Sequence, residues 1–313
     1  MKNYKVKSPL LFLIFNRPDT TIQVFNQIKI AQPAKLYIAA DGPRPDRQNE
    51  AALCRETIAI VQAVDWPCEV KTLYRTRNLG CKEAVSTAID WFFQNEEEGI
   101  ILEDDCLPSN SFFNFCDTML EKYRFDTRIR HITGCNLQHG NTWGEASYYF
   151  SNLTHVWGWA GWKRVWKDYD KHLTTYNKDD VAEKLSNVFQ DRFILENWTR
   201  IFEEVKSGKI DTWDYQLTFI NFFNNGLSII PNRNLISNIG YGADATHTVD
   251  TNSKNAFIAV QEISEITAPL YILPEKDADY FTLSQDFDLE KRWRLHNLPR
   301  RRFKRWLREK LSR

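Results

Sequence analysis

Ile100-Ile-Leu-Glu-Asp-Asp-Cys106 sets three consecutive acids, Glu103, Asp104 and Asp105, directly behind a short apolar run. Adjacent carboxylates repel one another, and a divalent cation among them relieves the repulsion. Mg²⁺ or Mn²⁺ suits such oxygen ligands, usually with one or two carboxylates completed by phosphate oxygens and water. Acids are also at home at the start of a helix, and a helix is expected over 109–123. Trp213-Asp214-Tyr215 puts a lone carboxylate between two aromatic rings, a setting for a group that takes a proton during a reaction. Asp211 rivals it, and helix capping is the structural alternative for Asp214. Asn238-Ile-Gly-Tyr-Gly-Ala-Asp-Ala-Thr-His247-Thr248 has two glycines that permit a tight loop, and an imidazole that can ligate a metal or meet a phosphate. Asn16-Arg17, Asp41 and Arg77-Asn78 with Lys82 are the remaining polar groups at places where the chain turns.

These residues need a scaffold, and the pattern supplies one. Leu10–Phe15 is a continuous apolar run, as in a strand buried on both faces. Pro18 and Asp19 open a helix with Ile22, Phe25 and Ile28 at helical spacing. Strands are expected at 35–40, 69–74, 99–102 and 131–133, and helices near 48–63, 82–93, 179–207 and 216–223. Alternating strands and helices imply right-handed crossovers and a largely parallel sheet. Such sheets bind ligands beyond the carboxyl ends of their strands, where Asn16-Arg17, Asp41, Arg77-Asn78 and the acid triplet fall. Neither a dinucleotide-binding fingerprint nor a P-loop occurs. The segment 143–166 holds eight Trp, Tyr and Phe residues, which can stack on sugar faces or pack a core.

The 313 residues contain 41 basic and 41 acidic side chains, 42% hydrophobic residues and 26% charged ones. That composition excludes a disordered chain, a collagen and a multi-span membrane protein. The balance is uneven along the chain. Residues 291–313 hold eleven Lys/Arg and one acid, Glu309, which leaves 30 basic and 40 acidic side chains in residues 1–290. An acidic body argues against a nucleic-acid-binding domain. In the tail, Phe303, Trp306, Leu307 and Leu311 share one helical face, which suits an anionic membrane surface; an RNA-binding arm and a solvated tail are the alternatives. The six cysteines show no C-x-x-C spacing, and no signal peptide or membrane span is evident, so a cytoplasmic protein, peripheral at most on the inner face of the membrane, is expected.

The ordered set Leu11–Arg17, Asp41-Gly42, Arg77-Asn78-Leu79-Gly80 and Glu103-Asp104-Asp105 resembles nucleotide-diphospho-sugar glycosyltransferases of the GT-A fold. The three-acid motif is most similar to that of the N-acetylglucosaminyltransferase I group and its bacterial relatives, and the resemblance spans roughly residues 8–250. It implies an α/β, GT-A-like (Rossmann-like) fold: a mostly parallel central sheet flanked by helices, an aromatic-rich acceptor half and a basic C-terminal helix. Residues 1–136 would form the nucleotide-sugar-binding half and 137–250 the acceptor-binding, catalytic half, with 251–313 as an extension. The resemblance implies metal at Asp105 and His247, and catalysis at Asp214. It places Asn16, Arg17, Asp41, Arg77, Asn78, Lys82, Glu103 and Asp104 around the nucleotide-sugar. The reaction implied is Mn²⁺- or Mg²⁺-dependent transfer from a UDP-sugar or similar donor to a glycan or lipid-linked glycan, with inversion. A sugar nucleotidyltransferase and a non-catalytic carbohydrate-binding protein are the alternatives. The former usually carries a Gly-rich basic loop after its first strand, where this chain has Asn16-Arg17-Pro18.

Overall fold

The structure is a computed structural model that describes residues 3–241 and 254–311. The chain opens with β1 (Leu10–Ile14), α1 (Pro18–Ala31), β2 (Lys35–Ala40), α2 (Glu50–Val61), β3 (Glu69–Tyr74), α3 (Cys81–Asn95) and β4 (Glu98–Glu103). It continues through β5 (Cys106–Pro108), α4 (Asn110–Lys122), β6 (Ile129–Thr133), β7 (Tyr148–Ser151), β8 (Trp159–Trp162) and α5 (Lys163–Trp166). Next come α6 (Lys178–Leu185), α7 (Arg192–Lys206), α8 (Asp214–Phe223), β9 (Leu227–Pro231) and β10 (Ile236–Asn238). The last three helices are α9 (Lys276–Asp286), α10 (Leu289–His296) and α11 (Pro299–Leu311).

Eight strands form one sheet in the order β3-β2-β1-β4-β8-β6-β9-β7, with helices on both faces. β1 to β4 are mutually parallel, with Leu10 opposite Leu36 and Ile100; β8 and β7 run against their neighbours. Every residue of β1 is buried because both faces are covered. Leu10, Phe12 and Ile14 join the core under α1 and α4, while Leu11 and Leu13 join the one under α3, α7 and α8. Each such side chain contributes about 1.5–3 kcal/mol on burial. The chain lays down β1, β2 and β3 in one direction and returns to β4 on the other side of β1. This reversal opens a crevice at the strands' carboxyl ends.

Three local expectations change. Ile22 is 46% exposed, because the buried stripe of α1 runs through Thr21, Val24, Phe25 and Ile28 instead. The acid triplet does not begin a helix: β5 intervenes and pairs antiparallel with β10, setting Cys106 opposite Asn238. The helix-terminus explanation of the acids therefore falls away. The aromatic segment is mostly core. Trp159 and Trp162 lie in β8, between β4 and β6, and Trp159 stacks on Trp213 at 5.9 Å. β8 is four residues long, with Ala160 and Gly161 between its two tryptophans, too short a run to read as a strand. Among the described residues, no helix is long and apolar enough to cross a membrane.

Candidate active site

A cleft of 460 Å³ lies at the carboxyl ends of β1 to β4. The triplet forms its floor. Asp104 is buried and accepts the Phe15 backbone N–H at 3.0 Å, which fixes the end of β1 against the end of β4. Asp105 accepts from Arg17 Nη1 at 2.7 Å, and the same guanidinium nitrogen stands 3.7 Å from Asp104. Glu103 lines the cleft, and its carboxylate makes no hydrogen bond among the described residues. Burial pushes the Glu103 carboxyl well above its ordinary range, and the charges of Asp105, Asp104 and Asp214 push it further. The Asp104 carboxyl is pushed up to about 7, by burial first and by Asp105, against the pull of Arg17. Arg17 is raised in turn: burial alone lowers it, and Asp104 and Asp105 outweigh that.

A raised carboxyl has a definite thermodynamic sign. Between its ordinary value of 3.8 and about 7, folded Asp104 keeps a proton that the unfolded chain has released. Stability therefore falls as pH rises through that window. Asp279, also near 7, and Asp286, near 6, act in the same direction. His131 and His155, which burial holds near 4, act the other way up to about pH 6.5, so the Asp104 share is read from the difference between two proteins. In the metal-free state the thermal midpoint of the wild type is expected to fall relative to that of Asp104→Asn as pH rises from about 5 to about 7; a difference that does not change with pH would contradict the raised Asp104 carboxyl.

The triplet is also tied to the glycine loop. Ile239 N–H donates to the Asp105 carbonyl at 2.8 Å, and Gly240 lies against the Asp105 side chain. A Cβ built on Gly240 would stand 2.2 Å from Asp105 Oδ2. Gly240→Ala must displace that carboxylate or the loop, an overpacking that costs about 1–3 kcal/mol. The expected result is a lowered melting temperature in a protein that still unfolds cooperatively; an unchanged midpoint would show that the loop or the Asp105 side chain yields without cost.

Other predicted residues divide by position. Asp41 and Asn78 line the cleft, but the Asp41 carboxylate is already engaged. It accepts from Asn78 Nδ2 at 2.9 Å, Leu79 N–H at 3.1 Å and Gly42 N–H at 2.9 Å, so it holds the 77–80 loop. Burial raises its pKa, partly offset by those backbone donors. Asn16 does not line the cleft and gives its amide to Glu50 at 3.0 Å. Arg77 is exposed and Lys82 half-buried, and neither lines the cleft. His247 lies outside the described residues. Arg75 and Arg44 line the cleft instead. Arg44 is paired with Glu50, whereas Arg75 bonds Thr87 Oγ1 at 2.7 Å and has no carboxylate at ion-pair distance among the described residues. Arg75 is the first residue past β3, which is the signal that could have found it.

Asp214 is the first residue of α8, not its cap; it accepts from Thr212 Oγ1 and lines the cleft. It also lines an adjoining cavity of 330 Å³, walled by Trp157, Trp198, Tyr215, Asn255 and Asp286 among others. Val156, Trp157, Asp214 and Tyr215 are common to both spaces. Asp211 is exposed and lines neither. Trp157, half-buried, is the tryptophan of the 143–166 segment that reaches this wall.

Among the described residues, no three His, Cys, Asp or Glu side chains are grouped so as to hold a metal by themselves. The triplet instead fits an ion bound by one carboxylate and completed by the ligand's own phosphate oxygens and water. The mutual repulsion that helps raise the Glu103 and Asp104 carboxyls is what a cation bound there would relieve.

No protein-family model matches the chain, and no curated protein matches it. Among solved structures, a UDP-glucose pyrophosphorylase complexed with UDP-glucose is similar at 12% identity and a TM-score of 0.28, over 52% of this chain and 71% of that one. At that score the likeness carries no weight for fold or function.

Proposed function

We propose that the protein is a metal-dependent glycosyltransferase. It would move a sugar from a nucleotide-diphospho-sugar, a UDP-sugar in the simplest reading, to a hydroxyl of a glycan or glycolipid, with inversion. One observation carries the reading: Asp214 stands in the wall shared by the acid-floored strand-end cleft and a second, aromatic-lined cavity. A donor in the first and an acceptor in the second would meet at that carboxylate.

In this reading Arg17 and Arg75 hold the donor's negative charge, and Asp41 keeps the 77–80 loop in place. Glu103, with no hydrogen-bond partner among the described residues, is placed to hydrogen-bond the donor's hydroxyls. Mn²⁺ or Mg²⁺ bound at Asp105, with His247 as a further ligand, would neutralise charge on the departing diphosphate. Asp214 takes the proton of the acceptor hydroxyl as its oxygen attacks the anomeric carbon. The bond from that carbon to the diphosphate oxygen breaks, and the nucleoside diphosphate leaves with the electron pair.

Product analysis tests the proposal. Purified protein is incubated with UDP-, GDP- and dTDP-sugars, Mn²⁺ and a panel of glycan acceptors. Release of a nucleoside diphosphate with extension of an acceptor supports it. Formation of a sugar nucleotide from a nucleoside triphosphate and a sugar phosphate, with release of pyrophosphate, would assign a nucleotidyltransferase instead. Glycan binding indifferent to metal, with no turnover, would assign a binding protein.

A further inference from the structure

The basic end of the chain is built differently from the body. α10 is docked: Trp293 Nε1 donates to Asp191 at 2.7 Å, Arg292 pairs with Glu196 at 3.2 Å, and the Trp293 ring packs on Phe193 at 4.8 Å. α11 follows and shows its apolar residues to solvent. Phe303 is 59% exposed, Trp306 51%, Leu307 37% and Leu311 84%. At helical spacing these four fall within an arc of roughly 140°, which Arg300 and Lys310 also enter. Arg301, Arg302 and Lys304 lie outside that arc by position. The Phe303 and Trp306 rings stack at 5.8 Å, a flat aromatic surface on the apolar face.

Two observations say what covers this face. The body holds 30 basic and 40 acidic side chains, yet none of the described α11 cations, Arg300, Arg301, Arg302, Lys304 and Lys310, forms an ion pair with it. A second copy of the helix is also unsuitable, since seven cations against Glu309 alone would repel their like. The complement is an extended anionic surface with an apolar interior directly beneath it.

We propose that α11 binds an anionic lipid bilayer, lying in the plane of the interface. Phe303, Trp306, Leu307 and Leu311 enter the acyl boundary, and the arginines and lysines meet the headgroups. This inference does not depend on the chemistry of the cleft.

Sedimentation of the full chain with vesicles tests it. Binding is expected to mixed phosphatidylcholine–phosphatidylglycerol vesicles and not to phosphatidylcholine alone, and to weaken as salt rises. Phe303→Ala with Trp306→Ala, and separately Arg301→Glu with Lys304→Glu, should each reduce partitioning by roughly tenfold or more. Both variants should melt like the wild type, because these side chains lie outside the core. Equal binding to neutral vesicles overturns the proposal, as do no binding to either and full binding by the Phe303/Trp306 variant. Preference for a single-stranded RNA oligomer over the anionic vesicles overturns it too and makes α11 a nucleic-acid arm.

Discussion

Asp214→Asn is expected to lower sugar transfer by about 10²–10⁴-fold while leaving donor binding within a few-fold of wild type. The amide keeps the shape of the carboxylate and can still accept the Thr212 hydroxyl, but it cannot take the acceptor's proton. The loss corresponds to about 3–5 kcal/mol of transition-state stabilisation. Folding should change by only a few tenths of a kcal/mol, the value of an acid in the first turn of a helix. Asp211→Asn is the control. Asp211 is exposed and outside both spaces, so its variant should turn over normally. Initial rates at saturating donor, with donor affinity measured separately, decide the matter. Wild-type rates for Asp214→Asn, or a deficit shared equally by Asp211→Asn, would remove Asp214 from the reaction.

Asp105→Ala is expected to abolish the part of nucleotide-diphosphate binding that requires Mn²⁺. A ligand that binds only the folded state stabilises by RT ln(1 + [L]/Kd), about 2.7 kcal/mol at a hundredfold excess over Kd. In the wild type that gain should appear as a raised melting temperature with nucleotide and Mn²⁺ together; in the variant it should vanish. Removing Asp105 also releases Arg17 from its 2.7 Å ion pair, so weak metal-independent binding should persist. Asp104→Ala should behave differently. It orphans the Phe15 N–H at the end of β1 and destabilises the unliganded protein by roughly 1–3 kcal/mol. A metal-dependent thermal shift that survives in Asp105→Ala would place the ion elsewhere.

Much of this was legible along the chain. The apolar runs of β1, β2 and β4 mark parallel strands because strands covered by helices on both faces need no polar alternation, whereas β3, at the sheet edge, carries Glu69, Lys71 and Thr72 and has no buried residue. Once those strands are placed, the end of each one locates Arg17, Asp41 and the acid triplet at a single edge. Near the ends, local reading lost precision. Arg75 and Arg77 are both basic and two residues apart, yet only Arg75 lines the cleft. Asn16 and Arg17 are neighbours, yet Asn16 serves Glu50 while Arg17 serves Asp105. Side-chain direction at a strand end depends on what packs beside it.

The sequence by itself determined the alternating α/β order, the strand-end position of the acids and the basic amphipathic end of the chain. Each follows from periodicity or charge within a few turns of one segment. Tertiary structure alone decided the rest. It inserted β8 between β4 and β6, so that Trp159 and Trp162 became core rather than surface. It paired Cys106 with Asn238, which set Gly240 against Asp105. It brought Asp214 into the same cleft as Glu103 and into the cavity beyond. These are contacts between segments far apart in the chain. Their register is settled by complementary packing and shared hydrogen bonds, which no short stretch of residues encodes.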